Sequence, residues 1–222
     1  MNFLAHYYSL KKENPYFVLG AVMPDIVNDF SRIYNKFIAG KYFKEELMNS
    51  HMLNGVENHI KADDIFHKHP LFDKMQDIAK SKMKTIFGDS VKRQFVIAHI
   101  LVELMLDQFI IVNDHSVLND FYLKLNEIEL KEANKFYENL KIEEDLSHFK
   151  RNFTKFRELK FLIHLKENAG IVFTLNKVFA SKLQYDFVAE EQKWNKTIDL
   201  IKKEVKQYIP TILEDVKIKL YE

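Results

Sequence analysis

The chain has 222 residues, with 33 Lys or Arg against 32 Asp or Glu, and its formal net charge is +1. This balance excludes a global field that would draw the protein onto nucleic acid or an anionic membrane surface. The sequence contains no cysteine, which excludes disulfide bonds, thiolate metal sites and a cysteine nucleophile. The length favours one domain, 1–222, because a chain of this size can bury most of its apolar surface in one core.

Apolar residues recur at helical spacing almost throughout the chain, and we predict an all-α, multi-helix bundle. Five glycines and four prolines are too few for a β fold with many tight turns. In chain order, the predicted segments are 2–11, 16–23, 44–67, one from Pro70 to a stop at Gly88, 91–112 with a cap at Asp89 or Ser90, 117–140, 143–165, 171–185, 190–209 and one from Pro210. We expect no signal peptide and no membrane-spanning run, because charged residues interrupt even the most apolar segment.

The strongest chemical pattern lies on the most apolar predicted helix. His99, Glu103 and Asp107 are spaced four residues apart. Four residues advance a helix by about 40° beyond a full turn, so the three side chains share one face. Such groups are costly in an apolar helix unless something pairs with them, and a divalent cation accepts both imidazole and carboxylate ligands. We interpret this face as candidate metal ligands; the alternative is hydrogen-bonded core residues.

An earlier helix repeats the spacing. His59, Asp63 and His67 are again four residues apart, with Asp64 and His69 beside them. Two such faces, opposed in a bundle, would form one closed polar pocket. We predict that His59 and Asp63 are metal ligands and that His67 protonates the leaving oxygen of a substrate. The alternative is a solvated helix end, for which His69 is the best candidate.

Two further polar residues, His6 and Asp25, lie in apolar surroundings near the amino terminus. We include both as ligands or as groups that orient ligands. The candidate ligands are therefore His6, Asp25, His59, Asp63, His99, Glu103 and Asp107. Because this set exceeds the roughly six ligands of one Mn²⁺ ion, we expect either two ions or one ion with several orienting groups.

Two stretches are locally basic and could dock an acidic partner, although such stretches are more often solvated helix faces. The first basic set is Lys80, Lys82, Lys84, Lys92 and Arg93, and the second basic set is Lys150, Arg151, Lys155, Arg157 and Lys160. We expect neither a nucleic-acid nor a membrane partner.

Four segments resemble, in order, motifs of the bacterial acyl carrier protein phosphodiesterase family. They are 1–6 (MNFLAH), 20–25 (GAVMPD), 59–70 (HIKADDIFHKHP) and 103–107 (ELMLD), with a weaker similarity at 165–183. The family has Gly-Asn-x-x-Ala-Asp, His-x-x-x-Asp-x-x-Thr-Asp-x-His-Pro and Asp-x-x-x-Asp-His at the last three. His67, Glu103 and Gln108 stand where it has Asp, Asp and His.

The resemblance implies an all-helical fold with a core like that of the HD-type metal-dependent phosphohydrolases. It implies removal of the 4′-phosphopantetheine arm from acyl carrier protein, with a divalent metal such as Mn²⁺; Fe²⁺, Mg²⁺ and Zn²⁺ are alternatives. It also implies a catalytic role for Asp25, which matches the aspartate that ends the family's second segment.

We therefore predict a cytoplasmic, metal-dependent phosphodiesterase that acts on a phosphodiester substrate, with acyl carrier protein as the candidate partner. One alternative is a phosphohydrolase for a small molecule such as a nucleotide. The other is a non-catalytic helical binding module that retains the fold, in which the polar faces are hydrogen-bonded core.

Overall fold

The computed structural model describes residues 1–10, 13–27, 50–139 and 146–222. Within these ranges the chain forms helices and no strand, which confirms the predicted all-α class. The helices are α1 (Phe3–Tyr8), α2 (Pro15–Ile26), α3 (His51–His67), α4 (Pro70–Phe87), α5 (Gln94–Asn113), α6 (His115–Asn126), α7 (Leu130–Asn139), α8 (Leu146–Leu159), a 3₁₀ helix (Phe161–Lys166), α9 (Asn168–Leu183), α10 (Glu191–Val205) and α11 (Ile209–Tyr221). Residues 44–49 of the predicted helix 44–67 lie outside the described residues.

Left-handed residues set two boundaries that the sequence pattern placed differently. Gly88 ends α4 with φ of 57°, as predicted, but α5 starts at Gln94 rather than at 91. Its N-cap residue, Arg93, has φ of 54°, so the predicted cap at Asp89 or Ser90 is wrong. Similarly, Lys160 has φ of 44° and separates α8 from the 3₁₀ helix, where one helix was predicted. A left-handed residue interrupts a right-handed helix.

Proline acts as a start signal in this chain more often than as a stop. Pro15 occupies the first turn of α2, and the Asn14 side chain accepts a hydrogen bond from the Tyr16 N–H at 2.9 Å. The helix then continues through Pro24 to Ile26, beyond its predicted end. A proline in the first turn costs no hydrogen bond, because that N–H has no partner within the helix.

Helix α5 forms the centre of the core. Most of its residues are buried, and it contacts α1, α4, α6, α9 and the 3₁₀ helix. Among the described helices it is the one whose length and composition would permit it to cross a membrane, yet most of it is buried inside the protein. The polar residues on its inward side therefore lie in apolar surroundings.

Two glycines allow α2 and α3 to pack with their backbones in close contact. A Cβ atom added at Gly55 would lie 2.1 Å from the Phe17 carbonyl oxygen, and one added at Gly20 would lie 2.0 Å from the Met52 carbonyl oxygen. This approach brings His59 of α3 against α2, where its Nδ1 lies 2.8 Å from the Ala21 carbonyl oxygen. The close packing thus fixes the position of the His59 imidazole, which belongs to the candidate site.

We expect Gly55→Ala to lower the free energy of unfolding by about 2–3 kcal/mol, because the added methyl group meets backbone atoms that cannot move aside. Chemical denaturation measures the loss. Asn54→Ala, at the exposed neighbouring position, is the matched control and should change stability by less than about 0.5 kcal/mol. Equal stability of the two variants would contradict the close packing of α2 and α3.

Candidate metal centre

Three side chains from α1 and α3 form the first group, defined as His6, His59 and Asp63. One ligand atom of each lies within 4.8 Å of the others. His6 Nε2 and His59 Nε2 each lie 3.3 Å from a different oxygen of Asp63, and the two imidazole rings stack with centroids 4.0 Å apart. Both histidines are buried. The arrangement is a compact N₂O donor set of the kind that binds a divalent metal.

The second group, defined as His67, His99 and Glu103, is assembled from α3 and α5. Its ligand atoms also lie within 4.8 Å of one another. Glu103 Oε1 lies 3.1 Å from His67 Nε2 and 3.2 Å from His99 Nε2. The side chains of His67 and His99 are 34% and 37% exposed, whereas Glu103 is 12% exposed. The second group therefore opens to solvent through its histidines, whereas in the first group both histidines are buried and the Asp63 side chain is 30% exposed.

The α-ammonium group of Met1 lies between the two groups. Its nitrogen is 2.5 Å from Asp63 Oδ1 and 3.5 Å from Glu103 Oε1, so these two oxygens are no more than about 6 Å apart. The ammonium is almost fully buried. Sequence reasoning missed this group because the amine belongs to the backbone rather than to a side chain, and no residue pattern indicates it.

The two imidazoles of the first group have opposite electrostatic environments. Burial, with a further contribution from His59, lowers the pKa of His6 to about 3, so its ring is neutral near pH 7. Burial also opposes the charged form of His59, but Asp63 and Asp25 outweigh it and raise the pKa of His59. Among the described residues His6 Nδ1 has no hydrogen-bond partner, and His6 Nε2 has only the 3.3 Å contact with Asp63. A neutral, buried imidazole with a free lone pair suits a metal ligand.

Both carboxylates of the centre are held in the ionised form. Burial alone would raise the pKa of Asp63, but His59, His6 and the Met1 ammonium outweigh it and lower that pKa strongly. Burial likewise opposes ionisation of Glu103, and the Met1 ammonium, His67 and His99 reverse this and lower its pKa. Two ionised carboxylates surrounded by imidazoles form an electrostatic environment that attracts cations.

Asp107 belongs to neither group. Its side chain is fully buried, and its Oδ1 accepts a hydrogen bond of 2.9 Å from the Ala5 N–H of α1. Burial raises the pKa of Asp107 to about 8, although the backbone of Ala5 and Leu4 acts in the opposite direction. The carboxyl group is thus mainly protonated at neutral pH, where it joins α5 to α1.

Asp25 lies beside the centre without being a member of either group. The residue is exposed, and its carboxylate raises the pKa values of both His59 and the Met1 ammonium. The structure therefore brings together six of the sequence-predicted site residues, namely His6, His59, Asp63, His67, His99 and Glu103, and it places Asp25 and Asp107 at their margin.

One histidine differs from the sequence interpretation. His69 is not a surface residue but is 8% exposed. Its Nδ1 accepts a hydrogen bond from the Leu71 N–H as the N-cap of α4, and its Nε2 lies 3.1 Å from Asp215. The signal that could have found this role was Pro70, which marks the first position of a helix and so makes the preceding residue a cap.

The two basic sets differ in how far their charges are neutralised. In the first set, Lys80, Lys82 and Lys84 each pair with an acidic residue. In the second set, Arg157 donates a hydrogen bond to a backbone carbonyl and Lys160 lies over a tyrosine ring. Lys92, Arg93, Lys150, Arg151 and Lys155 are exposed. The second set thus retains more uncompensated positive charge within the described residues.

No protein-family model, no curated protein and no solved structure matches this chain. The likeness to the acyl carrier protein phosphodiesterases therefore stays a resemblance of short motifs.

The raised pKa of Asp107 predicts a specific pH dependence of stability. The unfolded pKa is about 3.9 and the folded value is about 8, so the folded state retains a proton that the unfolded state releases between these values. This contribution to the free energy of unfolding is present below pH 4 and is lost as pH rises towards 8. We expect Asp107→Asn, which keeps an oxygen for the Ala5 N–H, to remove that loss.

Chemical denaturation at pH 5, 6.5 and 8, with chelator present, measures the effect. The Asp107→Asn variant should lose less stability between pH 5 and 8 than the wild type. Asp64→Asn, at an exposed carboxylate that pairs with Lys68, should retain the wild-type slope. Parallel curves for wild type and Asp107→Asn would show that Asp107 is already ionised in the folded protein.

Proposed function

We propose that the protein is a metal-dependent phosphohydrolase that acts on phosphodiesters. The observation that carries this proposal is the pair of His₂-carboxylate groups, whose two carboxylates contact the same buried ammonium group. Two adjacent metal sites with mixed imidazole and carboxylate ligands are typical of enzymes that hydrolyse phosphate esters. The resemblance of the ligand-bearing segments to a phosphodiesterase family supports the same chemistry.

The first group would hold the more tightly bound ion. His6 and His59 are buried, and the contact of His59 Nδ1 with the Ala21 carbonyl oxygen leaves Nε2 directed towards Asp63. Orientation of a ligand histidine by a backbone carbonyl is the usual supporting interaction in metal sites. The neutral His6 ring needs to release no proton before it can coordinate, which favours binding at neutral pH.

The second group would face the substrate. His67 and His99 are about one-third exposed, so a phosphodiester can reach this side without the bundle opening. A divalent ion bound there would polarise the phosphoryl oxygens and lower the pKa of a bound water. Hydrolysis would form a bond between the water oxygen and phosphorus and break the ester P–O bond, and the proton that the water gives up would balance the one that the leaving oxygen takes up.

His67 fits two roles in such a reaction. It can complete the second group as a third ligand, or it can protonate the leaving oxygen, as we expected from the sequence. The metal content of His67→Ala distinguishes the two, because loss of a ligand lowers the bound metal and loss of an acid does not. Asp25, which is exposed beside the centre, remains the residue for which the resemblance implies a catalytic role.

The donor set favours a metal that accepts both imidazole and carboxylate ligands. Four imidazoles and two carboxylates suit Mn²⁺, Fe²⁺ or Zn²⁺ better than Mg²⁺, which prefers oxygen ligands and water. We propose Mn²⁺ as the physiological ion, in line with the resemblance. Acyl carrier protein is the proposed substrate, a small nucleotide phosphodiester is the alternative, and we propose a cytoplasmic location.

A second candidate function has an observation of its own. The Met1 ammonium already compensates the charge of Asp63 and Glu103, so the centre could be a self-contained polar core in a non-catalytic helical binding module. Elemental analysis of purified protein, with and without chelator treatment and reloading with Mn²⁺, separates the two candidates. Protein that binds no metal at micromolar Mn²⁺, Fe²⁺ or Zn²⁺ would exclude the hydrolase.

Adjacent aspartates of α3 provide a matched test. We expect Asp63→Asn to weaken metal binding by about 100-fold or more, because it removes an ionised ligand shared by two imidazoles. Asp64→Asn, at a position that is exposed and paired with Lys68, should bind metal as the wild type does. Calorimetric titration with Mn²⁺ and turnover of bis(4-nitrophenyl) phosphate are the measurements. Similar affinities in the two variants would contradict the assignment of the first group.

The partner is tested separately from the chemistry. If carrier protein is the substrate, Lys150→Glu/Lys155→Glu should slow its hydrolysis about tenfold at low salt, because charge steering acts on the association rate. Hydrolysis of bis(4-nitrophenyl) phosphate should be unchanged. Lys80→Glu/Lys84→Glu, in the set whose charges are already paired, is the control. Hydrolysis of small phosphodiesters without any hydrolysis of holo-carrier protein would favour the small-molecule alternative.

A further inference from the structure

A second recess lies on the side of α5 away from the metal centre. It is a cavity of about 490 Å³ between the C-terminal half of α5, the last turns of α10 and the start of α11. Buried Met105, Val205 and Ile209 form its apolar floor, and Phe109 and the exposed Val112 form one wall. This volume lies within the range of cavities that hold small organic ligands.

The rim of the cavity is basic. Lys202, Lys203 and Lys206 line it, and Asp199 is the acidic residue among the lining side chains. Asp199 Oδ1 accepts a hydrogen bond of 2.7 Å from the neutral Asn168 amide, and its negative charge acts on Lys202. Lys202 is half-buried and donates to the Asn168 side-chain oxygen at 2.8 Å. An anion at this rim would face at least two exposed ammonium groups.

The cavity also contains an unsatisfied polar group. Gln108 lines it and is 2% exposed, and its amide nitrogen donates to the Lys166 carbonyl oxygen at 3.2 Å. Its amide oxygen has no hydrogen-bond partner among the described residues. A buried amide oxygen without a donor is commonly satisfied by a water, and this cavity has room for a water beside a ligand.

We propose that this cavity binds an amphipathic anion, that is, a ligand with an aliphatic or aromatic body and one anionic head. The body lies on the floor of Met105, Val205 and Ile209, and the head pairs with Lys203 and Lys206 at the rim. The apolar floor favours ligands with an apolar body, and the lysines disfavour ligands whose head group is cationic. Neither a purely polar anion nor a neutral hydrocarbon uses both features.

This binding site is independent of the proposed hydrolase. Gln108 and Asp107 are adjacent in sequence but point about 100° apart around α5, and none of the residues that line the cavity belongs to either metal group. Substitutions at the rim therefore leave the metal ligands untouched.

The methyl NMR signal of Met105 measures ligand binding at the apolar floor directly. In protein labelled with ¹³C at its methionine methyl groups, we expect the Met105 signal, assigned through Met105→Leu, to shift saturably on titration with decanoate below its micellar concentration. Decyltrimethylammonium, with the same chain length and the opposite charge, should shift it at least tenfold less effectively. Octyl phosphate should behave as decanoate does, since the proposal specifies an anionic head rather than a carboxylate.

Matched double variants in α10 and at Lys206, directly after it, test whether the lysines of the rim bind the anionic head. We expect Lys203→Gln/Lys206→Gln to weaken decanoate binding roughly tenfold, and Lys193→Gln/Lys196→Gln, on exposed positions of the same helix, to leave it unchanged. Calorimetric titration provides the dissociation constants, and Mn²⁺ content should be the same in all variants. All the substituted lysines are half-buried or exposed, so the variants should fold.

Three outcomes would overturn the proposal. The Met105 signal could fail to shift with either anion, it could shift equally with the cationic amphiphile, or the two double variants could bind decanoate equally. The first would mean that the cavity takes no such ligand, and the others would mean that apolar partition alone accounts for the shift. Loss of metal binding, with decanoate binding retained, would instead reject the hydrolase and keep this site.

Discussion

Two ionised, largely buried carboxylates lie where α1, α3 and α5 meet, and the candidate site depends on how their charge is compensated. An isolated carboxylate in a protein interior costs several kcal/mol. Asp63 and Glu103 avoid this cost through the Met1 ammonium, which contacts both, and through four imidazoles within ion-pair distance. These contacts bring together α1, α3 and α5, which are distant in sequence. The same interactions therefore stabilise the fold and create the candidate metal centre.

Backbone packing determines which polar residues reach this centre. The approach of α2 to α3 at Gly20 and Gly55 sets the depth of His59. On α5, one helical turn separates Glu103 from Asp107, a rise of about 6 Å. Because of this distance, the Asp107 carboxyl group lies beside the backbone N–H of Ala5 rather than among the imidazoles. Two carboxyl groups on the same helix face thus have opposite states, since Glu103 is ionised and Asp107 is mainly protonated.

The sequence predicted the helical class and the two polar faces, because a spacing of four residues depends only on helix geometry. It could not predict how the faces are divided between two groups, since His67 joins His99 and Glu103 rather than the group that contains His59. The buried amine of Met1 lies between the two groups, and no side-chain pattern reveals it. The helix boundaries at Arg93 and Lys160 were missed because both residues adopt positive φ, which local sequence rarely signals outside glycine and asparagine.

The partners of His6 decide between the two interpretations of the centre. If the ammonium were a complete substitute for a metal, every buried polar atom around it should be satisfied. The ammonium does compensate the charge of Asp63 and Glu103, but His6 Nδ1 remains without a hydrogen-bond partner among the described residues, and His6 Nε2 has only its 3.3 Å contact with Asp63. Burial keeps that ring neutral, so it offers a lone pair rather than a charge. A divalent ion would meet both requirements of the site, because it compensates the charge of the carboxylates and accepts the lone pair of a neutral imidazole. This unsatisfied lone pair is the physical reason to favour a metal centre over a self-contained polar core.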